Sequence, residues 1–452
     1  MNLDMTKGSP SKLILRFIIP VILGNVFQQL YNMVDTIVVG RFVGQDALAA
    51  VGSTGTISFL LLGFMMGLTT GFTVLTGQRY GAGDYAAVRK SAGNAFVLSA
   101  IITVVMTVGS MAAMDPILQV MQTPENIYGM AKTYILIICG GMACMVVYNL
   151  ASSILRAVGN SKVPLYFLIL SAVLNVFLDL LMVLVFHWGV AGAAYATVLS
   201  QGVSGVLCVV YMEAKIDFLR LHREDFRLDG RVVKNQLHIG VPMALQFSIT
   251  AIGTMVLQAA LNTFGSTVVA AYTAATKIEQ LISTCFQAMG VTMASYTAQN
   301  WGVHAIDRIR QGQKSAFLMS LIYAIAAYAV ILLTLPAFAR LFFSGDITEV
   351  YGYIQTYIRI AGLFFLPLGM IFIYRNVLQA CNFTLIPTLG GAVELAARTI
   401  CALLAIRLNS YTVACFATAS AWCSAGIFLW IAYLFIMHRI LQKPEKCYQM
   451  AV

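Results

Sequence analysis

The sequence predicts an all-α integral membrane protein whose twelve transmembrane helices form two pseudo-symmetric six-helix bundles. Three observations predict it. Of 452 residues, 60% are hydrophobic and only 10% charged, with a mean hydropathy of +0.83; a soluble domain carries roughly 25% charged residues. The apolar residues gather in twelve runs, each about as long as the ~20 residues a spanning helix needs. The last six runs also repeat motifs of the first six. This composition excludes a soluble enzyme, a nucleic-acid binder or a disordered protein as a whole-chain reading.

The first six runs fall at 13–39, 47–78, 90–114, 128–150, 163–186 and 190–213. A polar, charged linker follows at 214–235, and runs resume at 236–262, 267–300, 314–338, 351–375, 385–407 and 411–437. The chain therefore divides into a first lobe (1–213), a cytoplasmic linker (214–235) and a second lobe (236–452) with a short tail. These runs are too long and too uniformly apolar for transmembrane β-strands, which need only about 9–11 alternating residues. A short polar N-terminus leads straight into the first run, which has no small-residue cleavage site and reads as a retained anchor rather than a signal peptide.

The net charge of +10 is an orientation signal. With both termini inside, the outside loops hold only Arg41, Lys132, Arg340 and Arg407, while Lys277, Arg359 and Arg398 remain within runs. Every other Lys and Arg, including Arg156, Arg375, Lys443 and Lys446, falls in inside loops or tails. That bias follows the positive-inside rule and puts both termini in the cytoplasm.

The repeat has a register. DALAAVGSTGTI and TGQRYGAG are echoed by TVVAAYTAATKI and TAQNWGVH at an offset of 221, which places Gly44 on Gly265, Gln78 on Gln299 and Gly81 on Gly302. ILRAVGNSKVP is echoed by VLQACNFTLIP at an offset of 223, placing Pro164 on Pro387. Six helices per repeat keep both halves in one orientation, related by an axis along the membrane normal. Repeats of this kind are typical of alternating-access transporters, with the substrate site between the halves. The alternative is a duplicated scaffold without transport.

No phosphate loop, GxSxG elbow or HExxH motif is present. The nine cysteines include no CxxC, and all but Cys447 sit in apolar runs, where they read as small hydrophobes. No cofactor is expected; uphill movement would draw on an ion gradient.

Of 18 acidic residues, Asp35, Asp179, Glu279 and Glu394 lie inside runs. Each costs at least about 2.5–3.5 kcal/mol near the bilayer centre, which makes each a functional candidate. Asp35 lies late on the first, outward run, with Tyr31 one turn earlier. Asp179 lies late on the fifth, also outward, with Asn175 one turn earlier, and Thr197 lies early on the sixth, returning run. At 1.5 Å per residue all five fall in the outer half of the membrane. Together they make a candidate H⁺ or Na⁺ site, because two adjacent carboxylates resist ionising together. The alternative is that each Asp is hydrogen-bonded separately as a packing device. The second half lacks the set: Asp35 falls near Leu257 or Gln258, Asn175 on Arg398 and Asp179 on Ala402.

Glu394 and Arg398, four apart, read as an intrahelical ion pair. Lys277 and Glu279, two apart, face different ways; with Gln258 they are candidates for a substrate cavity or gate, and packing is an equal alternative for Glu279. Gly63, Gly67 and Gly71 form a small-xxx-small ridge for close helix packing. Pro20 frees a carbonyl inside the first run. It is a candidate hinge that couples protonation of Asp35 to bending, the alternative being static curvature.

Several segments together resemble the multidrug and toxic compound extrusion (MATE) transporters over about residues 10–440. They are PVILGNVFQQLYNMVDTIVVGRFVGQDALAAVG, TGQRYGAGD, LRAVGNSKVP and AATKIEQL. The resemblance implies two six-helix lobes forming a V-shaped central cleft. It implies antiport of small organic, usually cationic, drug-like compounds against H⁺ or Na⁺, by a monomer in membrane lipid with no nucleic-acid partner. In the DinF-like branch the first-lobe site would be Asp35, Asn175, Asp179 and Thr197, with Tyr31 and Pro20 at the matching first-helix positions; Na⁺ at Asp35 and Asp179 is the only metal implied. NorM-like members add acids on the seventh and tenth helices, which this chain lacks: its seventh run offers Gln246, Thr250 and Gln258. That favours the DinF-like branch. The alternative is a lipid-linked saccharide flippase of related fold, for which Lys277, Arg359 and Arg398 would be the cationic groups. A membrane enzyme or receptor would need a catalytic His or metal cluster, which the motifs do not offer.

Overall fold

A computed structural model of the chain describes residues 3–121, 123–342 and 348–442. All regular structure in them is helical. The first half comprises α1 (Pro10–Val38), α2 (Gln45–Gly81), α3 (Tyr85–Ala112), α4 (Met114–Val120), α5 (Glu125–Gly140), α6 (Met142–Ala157), α7 (Lys162–Leu180) and α8 (Gly189–Lys215). The second comprises α9 (Gly230–Asn262), α10 (Ser266–Gly302), α11 (Ile306–Phe342), α12 (Thr348–Leu363), α13 (Phe365–Ala380), α14 (Leu385–Leu408) and α15 (Tyr411–Gln442). Among the described residues, nine helices are long and apolar enough to cross a membrane, or eleven if α5–α6 and α12–α13 each count as one span, bent by 46° and 49°. The remaining long helix, α10, has 37 residues, but Lys277, Glu279, Gln280 and Gln287 dilute its apolar run.

The bends have local causes. A Cβ at Gly141 would lie 2.3 Å from Val198 Cγ2 on α8, so α8 presses onto bare backbone where α5 gives way to α6. In α13, Pro367 occupies the first turn, where a missing N–H is tolerated.

The internal repeat extends to backbone geometry. α2 and α10 both have 37 residues, and each follows a glycine of positive φ, Gly44 at 123° and Gly265 at 95°. The left-handed residues Gly83 and His304, and Gly159 and Asn382, are further pairs at the offsets of 221 and 223. Packing repeats too. α2 contacts α3, α5 and α6, and α10 contacts α11, α12 and α13; α8 packs on α6 and α7, and α15 on α13 and α14.

Contacts divide the chain into two units, Met1–Lys7 with Ile19–Phe247, and Gly8–Ile18 with Ser248–Val452. The chain therefore changes unit between Lys7 and Gly8, ahead of α1, and again inside α1 and inside α9. Each of these helices contains a proline near its crossing, Pro20 and Pro242.

In the first unit the glycine ridge of α2 meets α9. Gly63 lies against Phe247, and side-chain carbons at Gly67 and Gly71 would lie 2.6 Å from Ala244 Cα and 2.4 Å from Gly240 Cα. Around this contact Leu68, Phe72, Ala92, Ala95, Ala151 and Ile154 belong to a core that mixes large and small residues. Val104, Val105 and Val108 on α3 instead point outward, as lipid-facing residues do.

The linker is clamped to α3. Asn94, fully buried, donates to the carbonyls of Asp225 and Arg227 and accepts from Asp229 N–H at 2.9 Å. Gly93 leaves room for the Asp225 backbone, and Lys90 pairs with Asp229 at 2.5 Å. The Lys90 ammonium, then the N–H groups of Arg231 and Val232, hold the Asp229 carboxyl down at about 2, from 3.8. A depressed carboxyl stabilises the docked linker above its ordinary value and stops doing so as pH falls through about 2. Pepsin cleavage within 214–229 is therefore expected to rise between pH 3.8 and about 2. Lys90→Ala should shift that rise to higher pH, and coincident cleavage profiles for the two proteins would count against the clamp.

Arg375 corrects the sequence reading. It lies inside α13 rather than in an inside loop, and its charge is met by Glu394 at 3.4 Å. Arg156 likewise closes α6 and donates to Ser153 Oγ. The eight described cysteines are free thiols; Cys447, Lys443, Lys446 and the side chain of Arg340 lie outside the described residues.

Candidate functional site

Four helices of the first unit supply one polar cluster. α1 carries Tyr31 and Asp35, α5 carries Tyr134, α7 carries Asn175 and Asp179, and α8 carries Thr197 and Gln201. Asp35, Asn175, Asp179, Thr197 and Gln201 are all buried, Asp179 completely. Both acid-bearing helices end in π-helical turns, Val39–Val43 and Leu181–Val185, which contact each other. Such turns recur at functional sites. Here they carry the ends of α1 and α7 past one another just beyond Asp35 and Asp179.

The two carboxyl groups lie within hydrogen-bonding reach of each other. As two carboxylates they have no hydrogen to share. Asp35 Oδ1, both oxygens of Asp179, both polar side-chain atoms of Asn175 and Thr197 Oγ1 are buried without a hydrogen-bond partner among the described residues. No ion pair among those residues involves either Asp. Unpaired buried charge is costly; a proton held between the carboxyl groups or a small cation would relieve it. The Tyr31 hydroxyl interacts with Gln201, and Tyr134 sits within electrostatic range of Asp35, Asp179 and Tyr31.

Sequence reasoning missed Gln201 and Tyr134. Gln201 follows Thr197 by one turn on the same face, a spacing the sequence displays. Tyr134 has no comparable marker, since only the fold brings α5 to α1.

The remaining candidates lie elsewhere. Pro20 sits where α1 changes unit. In the second unit Gln258 donates to Asn262 at 3.0 Å, and Lys277 is exposed. Glu279 accepts from Tyr357 Oη at 2.8 Å and Ser283 Oγ at 2.9 Å, and Tyr357 packs edge-on to Tyr272. Glu394 binds Arg398 at 2.9 Å as well as Arg375, so the pair read from the sequence is one side of a three-residue cluster.

Comparison with known proteins adds family to this geometry. The MatE family profile matches residues 20–181 and 242–409. The chain is 31% identical over 303 residues, 65% of each chain, to the probable multidrug resistance protein YoeA of Bacillus subtilis. It is 28% identical over 384 residues, 84% of each chain, to the probable multidrug resistance protein YpnP of the same organism. A solved outward-facing structure of a multidrug resistance MATE family transporter superposes with a TM-score of 0.91 at 23% identity, covering 97% of this chain and 98% of that one. The profile spans most of both halves, and the chain therefore belongs to the MatE family, the membrane transporters that its motifs resemble.

Proposed function

We propose that this protein is a DinF-like multidrug antiporter. It would export small organic, usually cationic, compounds by alternating access, in exchange for H⁺ or Na⁺. The observation that carries this reading is the pair of buried carboxyl groups, Asp35 and Asp179, in mutual reach, with Asp35 Oδ1 and both Asp179 oxygens lacking a hydrogen-bond donor among the described residues. In this reading the chain crosses a bacterial-type plasma membrane twelve times as a monomer, with α10 as the twelfth span and both termini in the cytoplasm.

The coupling ion enters from outside and settles between Asp35 and Asp179. Asn175 and Thr197 offer oxygens to Na⁺; Tyr31, anchored by Gln201, and Tyr134 wall the site. Occupancy removes the repulsion between α1 and α7, α1 bends at Pro20, and the units rock to release substrate outward. Loss of the ion inside restores the repulsion and resets the cycle. In the second unit Glu279 and Gln258 serve the substrate path, with Lys277 at its margin. The multidrug names of the relatives support this substrate class, and none of the relatives named above favours a lipid-linked saccharide.

The test uses purified protein in liposomes loaded with ethidium, under an imposed pH or Na⁺ gradient in turn. Efflux is expected to accelerate at least about tenfold under one of them, corresponding to about 1.4 kcal/mol. Equal leakage with and without both gradients would remove the antiport reading.

A further inference from the structure

α7 and α14 occupy the same place in the two units. They start 223 residues apart, each with proline at its third position, Pro164 and Pro387. In this register Asn175 of the carboxylate site corresponds to Arg398. The two sites thus have opposite electrical character: carboxyl groups without cationic partners in the first unit, a pair of guanidinium groups around one carboxylate in the second.

The second cluster is incomplete in a specific way. Glu394 Oε1 accepts from Arg398 Nη2 at 2.9 Å, and Glu394 Oε2 from Arg375 Nη2 at 3.4 Å. The single Glu394 carboxylate is thus shared by both guanidinium groups. Arg398 is 5% exposed, yet its Nε has no hydrogen-bond partner among the described residues, and neither has Arg375 Nε. A further acid, Glu279, lies within electrostatic range of Arg398, but its oxygens accept from Tyr357 and Ser283. Arg398 also extends toward α9, where its Nη1 lies 3.0 Å from the position a side chain at Gly253 would take. Glu394 and Arg398 lie near the middle of α14, and Arg375 belongs to the bent α12–α13 pair. Transporter substrate sites favour this setting, near the bilayer midplane and beside discontinuous helices.

We infer that Arg375 and Arg398 form a binding site for an oxyanion, a carboxylate, sulfonate or phosphate ester carried by an organic substrate. Guanidinium forks match such groups in shape and charge. A further acidic group would engage the spare N–H donors of the two arginines. Both Nε atoms are enclosed in this conformation, so the anion gains access as α9, α13 and α14 part. The inference rests on the export reading and widens its substrate class from cations to compounds bearing a negative group. Its test is equilibrium binding, so its failure leaves the gradient-driven ethidium assay unaffected.

The purified full chain is titrated with fluorescein, an anionic xanthene, and with rhodamine 6G, a cationic one, by fluorescence anisotropy. Wild type should bind fluorescein. Arg398→Gln and Arg375→Gln should each weaken it at least about tenfold while changing rhodamine 6G less than about threefold. Glu394→Gln removes the internal competitor and should tighten fluorescein at least about threefold; this gain keeps the proposal testable if an arginine variant misfolds. A wild type that ignores fluorescein overturns the inference. So does unchanged fluorescein affinity in a monodisperse Arg398→Gln, or in a monodisperse Glu394→Gln. Displacement of fluorescein by an equal concentration of inorganic phosphate would assign the site to a free anion instead, and also overturns it.

Discussion

Cells expressing Asp35→Asn should lose ethidium efflux, by at least about 100-fold in rate (about 2.7 kcal/mol), while the variant reaches the membrane in wild-type amounts. The reason lies in the hydrogen count at the cluster. Two facing carboxylates have no hydrogen between them, so in the proposed cycle the site would alternate between a strained empty state and a relaxed occupied one. An amide at position 35 supplies an N–H to Asp179 permanently and removes one of the two charges. The site then rests in the relaxed state, with no difference for an ion gradient to act on. The same substitution should raise thermal stability by about 1 kcal/mol or more, because relieving an unpaired buried charge is favourable. Activity and stability should therefore move in opposite directions. A merely structural Asp35 would move them together, and full drug resistance from Asp35→Asn would remove the coupling mechanism.

Gly71→Leu should have the second-largest effect, a loss of about 3 kcal/mol or more, or of folded protein altogether. Overpacking a core usually costs about 1–3 kcal/mol, because neighbouring side chains can rotate away. Here the obstacle is backbone: a Cβ at Gly71 would lie 2.4 Å from Gly240 Cα and 2.9 Å from Gly240 N. Only a shift of α2 away from α9 relieves that clash, and the shift would also unpack Gly67 from Ala244. Gly109, on α3, is the matched control, since no atom lies within 4 Å of its added carbon. Gly109→Leu should melt like wild type. Detergent-solubilised Gly71→Leu with a wild-type melting curve would show that the close approach contributes little.

Much of this architecture was legible because it is written in periodicity. The helical runs, the glycine ridge and the 221–223 offsets follow from residue type and spacing alone. So does the sharing of one face by Asn175 and Asp179. What stayed hidden depends on partners distant in sequence. Arg375 read as a membrane boundary because a charge ordinarily ends an apolar run; only Glu394, brought over from α14, lets α13 continue to Ala380. The break at Gly141 depends on Val198, more than 50 residues away. The linker clamp depends on Asn94 reaching Asp225 and Arg227, and Tyr134 joins the site only through the packing of α5. Local pattern fixes which face of a helix is polar; it does not say what that face will meet.

The crossings in α1 and α9 have a mechanical consequence. A loop between two units soaks up displacement, whereas a continuous helix passes it along its axis. Apart from the crossing at Lys7–Gly8, ahead of α1, this chain changes unit within rods, at Ile18–Ile19 and Phe247–Ser248, close to Pro20 and Pro242, where proline lacks the N–H of a helical hydrogen bond. In the proposed cycle those prolines would serve as matched pivots. Asp35 rides α1 about 22 Å beyond Pro20, at 1.5 Å per residue, so a small swing at the pivot becomes a large stroke at the carboxylate, as at the far end of a crank.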